Sequence, residues 1–192
     1  MTRNAKKKLI LASASKRRSR ILANLGVSFK IVIPKVKELN HINNPEKTVR
    51  KNALRKNKWC REQFPGCSIL AADTIVEFKG RIINKPSSME EAWEFLRMLS
   101  GKTHRVFTGV AFSRPGGRTE SRVDISSVTF KRLTDAKIKE YLTKVKPMDR
   151  AGAYDIDESG DLLIASFKGS RTNIMGLSSE TATELLKKDG FL

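Results

Sequence analysis

The stretch KLILASASKRRSRILANLG, residues 8–26, changes its apolar pattern within a few residues. Lys8 to Ser13 holds a continuous apolar run and predicts a buried strand. Beyond it Ile21, Leu22 and Leu25 recur at helical spacing, and Gly26 follows as a C-terminal stop. A buried strand that feeds directly into a helix is the building unit of an α/β sheet.

The alternation continues outward from there. Phe29 to Ile33 reads as a second strand ended by Pro34, and Asn40 to Asn44 as a polar loop. A helix is predicted over Pro45 to Gln63, with an inner stripe of Val49, Ala53, Lys56 or Asn57, and Cys60. Ser68 to Phe78 is a strongly apolar strand interrupted by Asp73, and Lys79-Gly80 turns it back into Arg81-Ile82-Ile83. Ser88 and Glu91 have capping-box spacing ahead of a helix with Ala92, Phe95 and Leu99 inward. His104 to Phe112 and Ser121 to Phe130 flank the turn Arg114-Pro115-Gly116-Gly117, giving a long hairpin. Asp135 to Val145 is helical, the segment Pro147 to Tyr154 follows, then a strand near Leu162 to Phe167 and a last helix from about Ser178.

The chain has 192 residues, enough for one domain with a substantial core. No apolar run approaches the roughly 18 residues of a membrane span. Leu9 to Ala12 is too short for a signal h-region of about 7–15 residues and runs into Arg17-Arg18, so a cytoplasmic protein is expected. Two cysteines, Cys60 and Cys67, show no metal-ligand spacing and make no disulfide framework. The formal charge of +18, from 38 Lys and Arg against 20 Asp and Glu, favours polyanions: nucleic acid, anionic lipid or phosphorylated small molecules.

Several residues sit where packing alone does not explain them. Ser13-Ala14-Ser15-Lys16-Arg17-Arg18 falls at a strand–helix junction, where unpaired N–H groups and the positive helix end bind anions. Two arginines there add bidentate donors suited to phosphate, although an exposed basic helix start has the same sequence. Asp73, in Ala72-Asp73-Thr74, is a carboxylate inside an apolar strand; it must meet a cation, a metal or a structural salt bridge. Lys56 on a mostly apolar helix face and Lys85 before Pro86 could neutralise phosphate, as could any solvated lysine. Glu38 lies just beyond the second strand, as a second metal ligand or base. Gly101-Lys102-Thr103 matches the tail of a phosphate-binding P-loop, but the required upstream glycine is Leu96, and the segment follows a helix instead of preceding one.

These residues, taken in order, resemble the Maf family of nucleoside triphosphate pyrophosphatases, once described as septum-formation proteins. The resemblance runs from Leu9 to about Leu177. It rests on Leu11 to Arg18 (LASASKRR), Ala72-Asp73-Thr74, Lys85-Pro86, Leu99 to Val110 (LSGKTHRVFTGV) and Pro147 to Tyr154 (PMDRAGAY). It implies a single domain over residues 1–192, two lobes about one cleft. The implied fold is an elongated mixed sheet with flanking helices, shared with inosine triphosphate pyrophosphatases. The implied reaction is attack of water at the α-phosphorus with pyrophosphate leaving. Ser13, Ser15, Arg17, Arg18 and Thr74 would bind the substrate, and Lys56 and Lys85 would neutralise developing charge. Glu38 and Asp73 would hold Mg²⁺, or Mn²⁺, and the attacking water, with either as the base. A homodimer is implied by the same likeness.

The AGAY form resembles the branch of the family that favours dTTP and UTP. In that branch the motif usually continues G-I-Q, with a glutamine that helps read the base. Here it continues Asp155-Ile156-Asp157. A carboxylate only accepts hydrogen bonds, so Asp157 predicts a weakened or altered pyrimidine preference. Lys16 and Ser178 stand where prolines are usual, and Lys35-Val36-Lys37 puts positive charge beside Glu38. The competing function is a basic protein of the same fold that lost the chemistry and binds nucleic acid. Aromatic residues are only 7%, with no stacking motif, and Arg17, Arg18, Lys56, Asp73 and Lys85 are all present.

Overall fold

A computed structural model describes residues 7–39 and 44–192. Its elements run β1 (Leu9–Ala12), α1 (Lys16–Asn24), β2 (Lys30–Val32), α2 (Pro45–Gln63), β3 (Ser68–Phe78), β4 (Arg81–Ile83), α3 (Met89–Leu99), β5 (Thr103–Ser113) and β6 (Thr119–Phe130). They continue with α4 (Asp135–Lys144), two 3₁₀ turns (Pro147–Asp149 and Ala151–Ala153), α5 (Gly160–Leu163), β7 (Ile164–Lys168), α6 (Arg171–Met175) and α7 (Ser179–Lys187). All seven strands join one mixed sheet in the order β2-β1-β3-β5-β6-β7, with β4 paired to β3. β1 is parallel to β2 and β3, and the remaining pairs are antiparallel.

Helix α1 ends as expected: Gly26 takes a positive φ of 75° and donates its N–H to Ala23. Helix α2 begins at an Asn44 cap that accepts from the Lys47 N–H, and its inward stripe holds Val49, Ala53, Lys56, Asn57 and Cys60, all buried. The Asn40 to Asn43 part of the expected polar loop lies outside the described residues. At Gly109, opposite Asp73 in the β3–β5 register, an added Cβ would stand 2.4 Å from the Val49 carbonyl oxygen. The absence of that atom lets the α2 backbone rest on the sheet and carries Lys56 to β3.

Two expectations change. Ser88 accepts from the Glu91 N–H, but the Glu91 carboxylate passes over the cap residue to the N–H and hydroxyl of Ser87, both at 2.6 Å. The strand expected near Leu162 starts at Ile164. Ser159, in the left-handed region at φ 53°, starts a helical turn that buries Leu163 in the core, and a short apolar run cannot distinguish the two forms. The helix α6 was not expected at all.

The motif residue His104 proves to be a packing group. It is 2% exposed, sits edge-on to Phe130 and Tyr154, and shares a 2.8 Å hydrogen bond with the Tyr154 hydroxyl. This contact ties the β5 motif to the AGAY segment. Burial lowers its pKa from 6.5 to about 4, so the folded chain resists protonation while the unfolded chain accepts it. Stability is therefore expected to fall as pH drops from about 6.5 to about 4, by on the order of 3 kcal/mol. Denaturant titrations across that range should show a visibly flatter slope for His104→Gln. An unchanged slope would assign the dependence to other groups.

Candidate active site

The largest two core clusters, one around Leu96 and Phe130 and the other around Leu22 and Leu70, meet at a pocket of about 290 Å³. Ser13, Ser15, Arg17, Arg18, Glu38, Lys56, Thr74 and Lys85 all line it. Asp73 lies just behind the wall, 5% exposed, bonded to Lys56. Five segments far apart in sequence are thus brought to one cavity.

Lys56 organises the centre. Its Nζ stands 2.6 Å from Glu38 Oε1 and 2.6 Å from Asp73 Oδ1. The second Asp73 oxygen accepts from Asn52 Nδ2 at 3.0 Å. Asn52 also exchanges two hydrogen bonds with the Leu39 backbone, which fixes the loop that presents Glu38. Partial burial works to raise the Glu38 pKa, but the Lys56 charge and hydrogen bond, with Lys85 and Arg18 beyond, bring it below the usual carboxylate range. Both carboxylates therefore face one cation. Asn52 escaped the sequence reading, although it stands four residues before Lys56 on the same helix face.

The arginines of the first motif divide their work. Arg18 is buried and donates to the Gly176 and Ala72 carbonyls, Ser13 Oγ and Thr74 Oγ1. Four of its five N–H donors are committed within the wall. Burial lowers its pKa, and Asp73 and Glu38 act to keep it charged. Arg17 is looser: its Nη1 lies 3.5 Å from both Asp149 Oδ2 and Asp155 Oδ2. Helix α1 has no side-chain N-cap bond and no acid in its first turn, so its leading N–H groups face the pocket end uncapped.

The AGAY segment closes the cavity. Gly152 donates its N–H to Asn84 at 3.1 Å, which anchors the loop that carries Lys85. Arg150 binds Asp155, Glu158 and the Lys146 carbonyl, and so holds Asp155 against the pocket. Asp155, not Asp157, is the lining residue of this pair. The Asp157 carboxylate accepts from Arg171 Nε and Nη2 at 3.0 and 2.9 Å. The signal available for Arg150 and Asp155 was their place in and beside PMDRAGAY.

The geometry offers hydrogen-bond donors for an anion around a cavity lined by Glu38, with Asp73 just behind its wall. The carboxylate oxygens are hard donors that meet on one cation already, and Mg²⁺ or Mn²⁺ binds through one or two carboxylates plus substrate phosphates. The donor set fits such an ion. Among the described residues no group of three or more His, Cys, Asp or Glu side chains converges.

The Maf-like protein family model matches residues 8–189, and this chain belongs to that family. A dTTP/UTP pyrophosphatase of Dictyoglomus thermophilum is 38% identical over 189 residues, covering 97% of this chain and 98% of that protein. A dTTP/UTP pyrophosphatase of Aromatoleum aromaticum is 39% identical over 199 residues, covering 96% of each. A HAM1 protein from Coxiella burnetii has a similar fold, with a TM-score of 0.57 and 15% identity over 95% of this chain and 99% of that one.

Proposed function

We propose that this chain hydrolyses nucleoside triphosphates to monophosphate and pyrophosphate, with dTTP and UTP as the preferred class. The observation that carries this reading is the single pocket in which Arg17, Lys85 and the uncapped start of α1 face the carboxylates of Glu38 and Asp73 across Lys56. The full-length likeness to dTTP/UTP pyrophosphatases supports the substrate class.

The residues divide the chemistry as follows. The α1 N–H groups and Arg17 take the phosphate chain, and the long Arg17 contacts to Asp149 and Asp155 exchange readily for phosphate oxygens. Arg18 fixes the wall that holds them. Lys56 and Lys85 offset charge that grows on the α-phosphoryl oxygens and the departing pyrophosphate. Asp73 is oriented by Lys56 at one oxygen and Asn52 at the other, with lone pairs left for a metal ion. Glu38, half-exposed with Oε2 free of Lys56, is the carboxylate open to the attacking water and its proton. Mg²⁺ or Mn²⁺, held by Glu38, Asp73 and substrate oxygens, would neutralise phosphate charge and acidify water when bound.

We read the chain as one domain of two lobes, supported by one continuous sheet with core clusters on either side of the pocket. Among the described residues no helix is long and apolar enough to cross a membrane, and both thiols are free, as suits the reducing cytoplasm. The family likeness supports a homodimer, which sedimentation equilibrium would test. Turnover in H₂¹⁸O tests the reaction: label is expected in the nucleoside monophosphate. Label in pyrophosphate, or release of diphosphate nucleotide, would contradict attack at the α-phosphorus.

Asp157 bears on selectivity. It stands two residues beyond Asp155 of the pocket wall, and, held by Arg171 and unable to donate, it would offer a base reaching past that wall less than a glutamine would. Asp157→Gln is expected to raise the dTTP-over-dATP ratio of kcat/KM by about 2–10-fold, the worth of one net hydrogen bond. An unchanged ratio would remove residue 157 from base reading.

A further inference from the structure

The pocket uses only the inner face of α2. Lys47, Lys51, Arg55 and Lys58 are all exposed and follow one another at intervals of four, four and three residues. At 3.6 residues per turn they fall within about 80° of one another and span about 16 Å along the axis. Lys56, the pocket ammonium, points about 180° away from Lys47 around the same helix. Arg50 and Arg61 lie along one edge of the stripe. Arg61 donates to Gly117 O at 3.0 Å, which brings the Arg114–Arg118 turn up to the helix end. Lys47, Lys51 and Arg55 form no ion pair among the described residues, whereas Lys58 is 3.9 Å from Glu62.

We propose that this outer face of α2 binds the phosphate backbone of duplex nucleic acid without reading its sequence. A strand of the duplex carries one charge per roughly 3.4 Å of axis, so the stripe runs beside about four or five phosphates. The only asparagines of α2 that could read a base edge, Asn52 and Asn57, are buried inward. A membrane surface fits less well. A helix lying on lipid needs an apolar face to insert, and the apolar face of α2 is spent in the core. The surface lies outside the pocket, so the enzyme could sit on nucleic acid and still take free nucleotides.

The test is fluorescence anisotropy of a labelled DNA duplex across a salt series. Each phosphate contact contributes about 0.9 to the slope of log K against log salt, so the triple variant Lys47→Gln, Lys51→Gln, Arg55→Gln should lose about 2.7. The triple variant Lys139→Gln, Lys168→Gln, Lys187→Gln removes the same charge from other exposed sites and should lose little. Equal losses in the two variants would overturn the proposal, as would a wild-type protein that ignores the duplex at low salt. Preference for phosphatidylserine vesicles over the duplex would overturn it too. Pyrophosphate release should survive in the stripe variant, which also shows that it folds. The salt slope is read without turnover, so failure of the hydrolase reading and failure of this one are separate results.

Discussion

Asp73→Asn is expected to lower kcat/KM for pyrophosphate release by about 10²–10³-fold, the range seen when one preorganised polar group is lost from an active site. The substitution is nearly isosteric, so the cavity keeps its shape. What changes is the charge that fixes Lys56 and, with Glu38, would hold a divalent cation. An amide at 73 can still accept from Lys56, but its own N–H groups then meet Asn52 Nδ2, donor against donor. The apparent Mg²⁺ requirement should therefore rise along with the loss of rate. Full activity at ordinary Mg²⁺ would mean that the buried carboxylate is only a salt-bridge partner, the competing reading that its sequence position left open.

Lys56→Met is expected to be the most damaging single change. It leaves Asp73 buried and uncompensated, at a cost of about 3–5 kcal/mol in stability. It also removes the cation between the two carboxylates, and hydrolysis should drop by about 10²–10³-fold in protein that remains folded. The double variant Lys56→Met, Asp73→Asn separates the two effects. With both partners gone, no uncompensated charge stays behind, so the double variant should be more stable than Lys56→Met alone while no more active. A double variant as unstable as the sum of the singles would show that the two residues do not act as a pair. Denaturant midpoints and initial rates on the same preparations give both quantities.

The centre of this site was legible because it breaks local rules. A lysine on the apolar stripe of α2 and an aspartate within the apolar β3 are each out of place alone, and each explains the other. The strand–helix alternation was legible for the same reason that any buried strand is: Ser68–Phe78 and Pro45–Gln63 differ plainly in apolar period. What stayed hidden depends on contacts across the chain. Nothing near Arg18 in sequence indicates that Gly176, 158 positions on, would accept from its Nε and tie it into the wall. The Arg17 contacts to Asp149 and Asp155 are equally remote. Asn52 was concealed differently, since a polar residue on a long helix is ordinarily solvated. The α5 turn and α6 are too short for periodicity to register.

The charge of the chain also divides into two parts that composition alone merges. Lys56, Lys85, Arg17 and Arg18 gather at the pocket, while Lys47, Lys51, Arg55 and Lys58 point outward from α2. A single helix thereby carries a cation for the pocket on one side and an open cationic face on the other.

The most direct test of the central claim is pyrophosphate release with Mg²⁺ from a panel of ribo- and deoxyribonucleoside triphosphates, with Asp73→Asn as the control. Release concentrated on dTTP and UTP and lost in the control is the expected result. Absence of release from every triphosphate by folded wild-type protein, or release that Asp73→Asn retains in full, would contradict it.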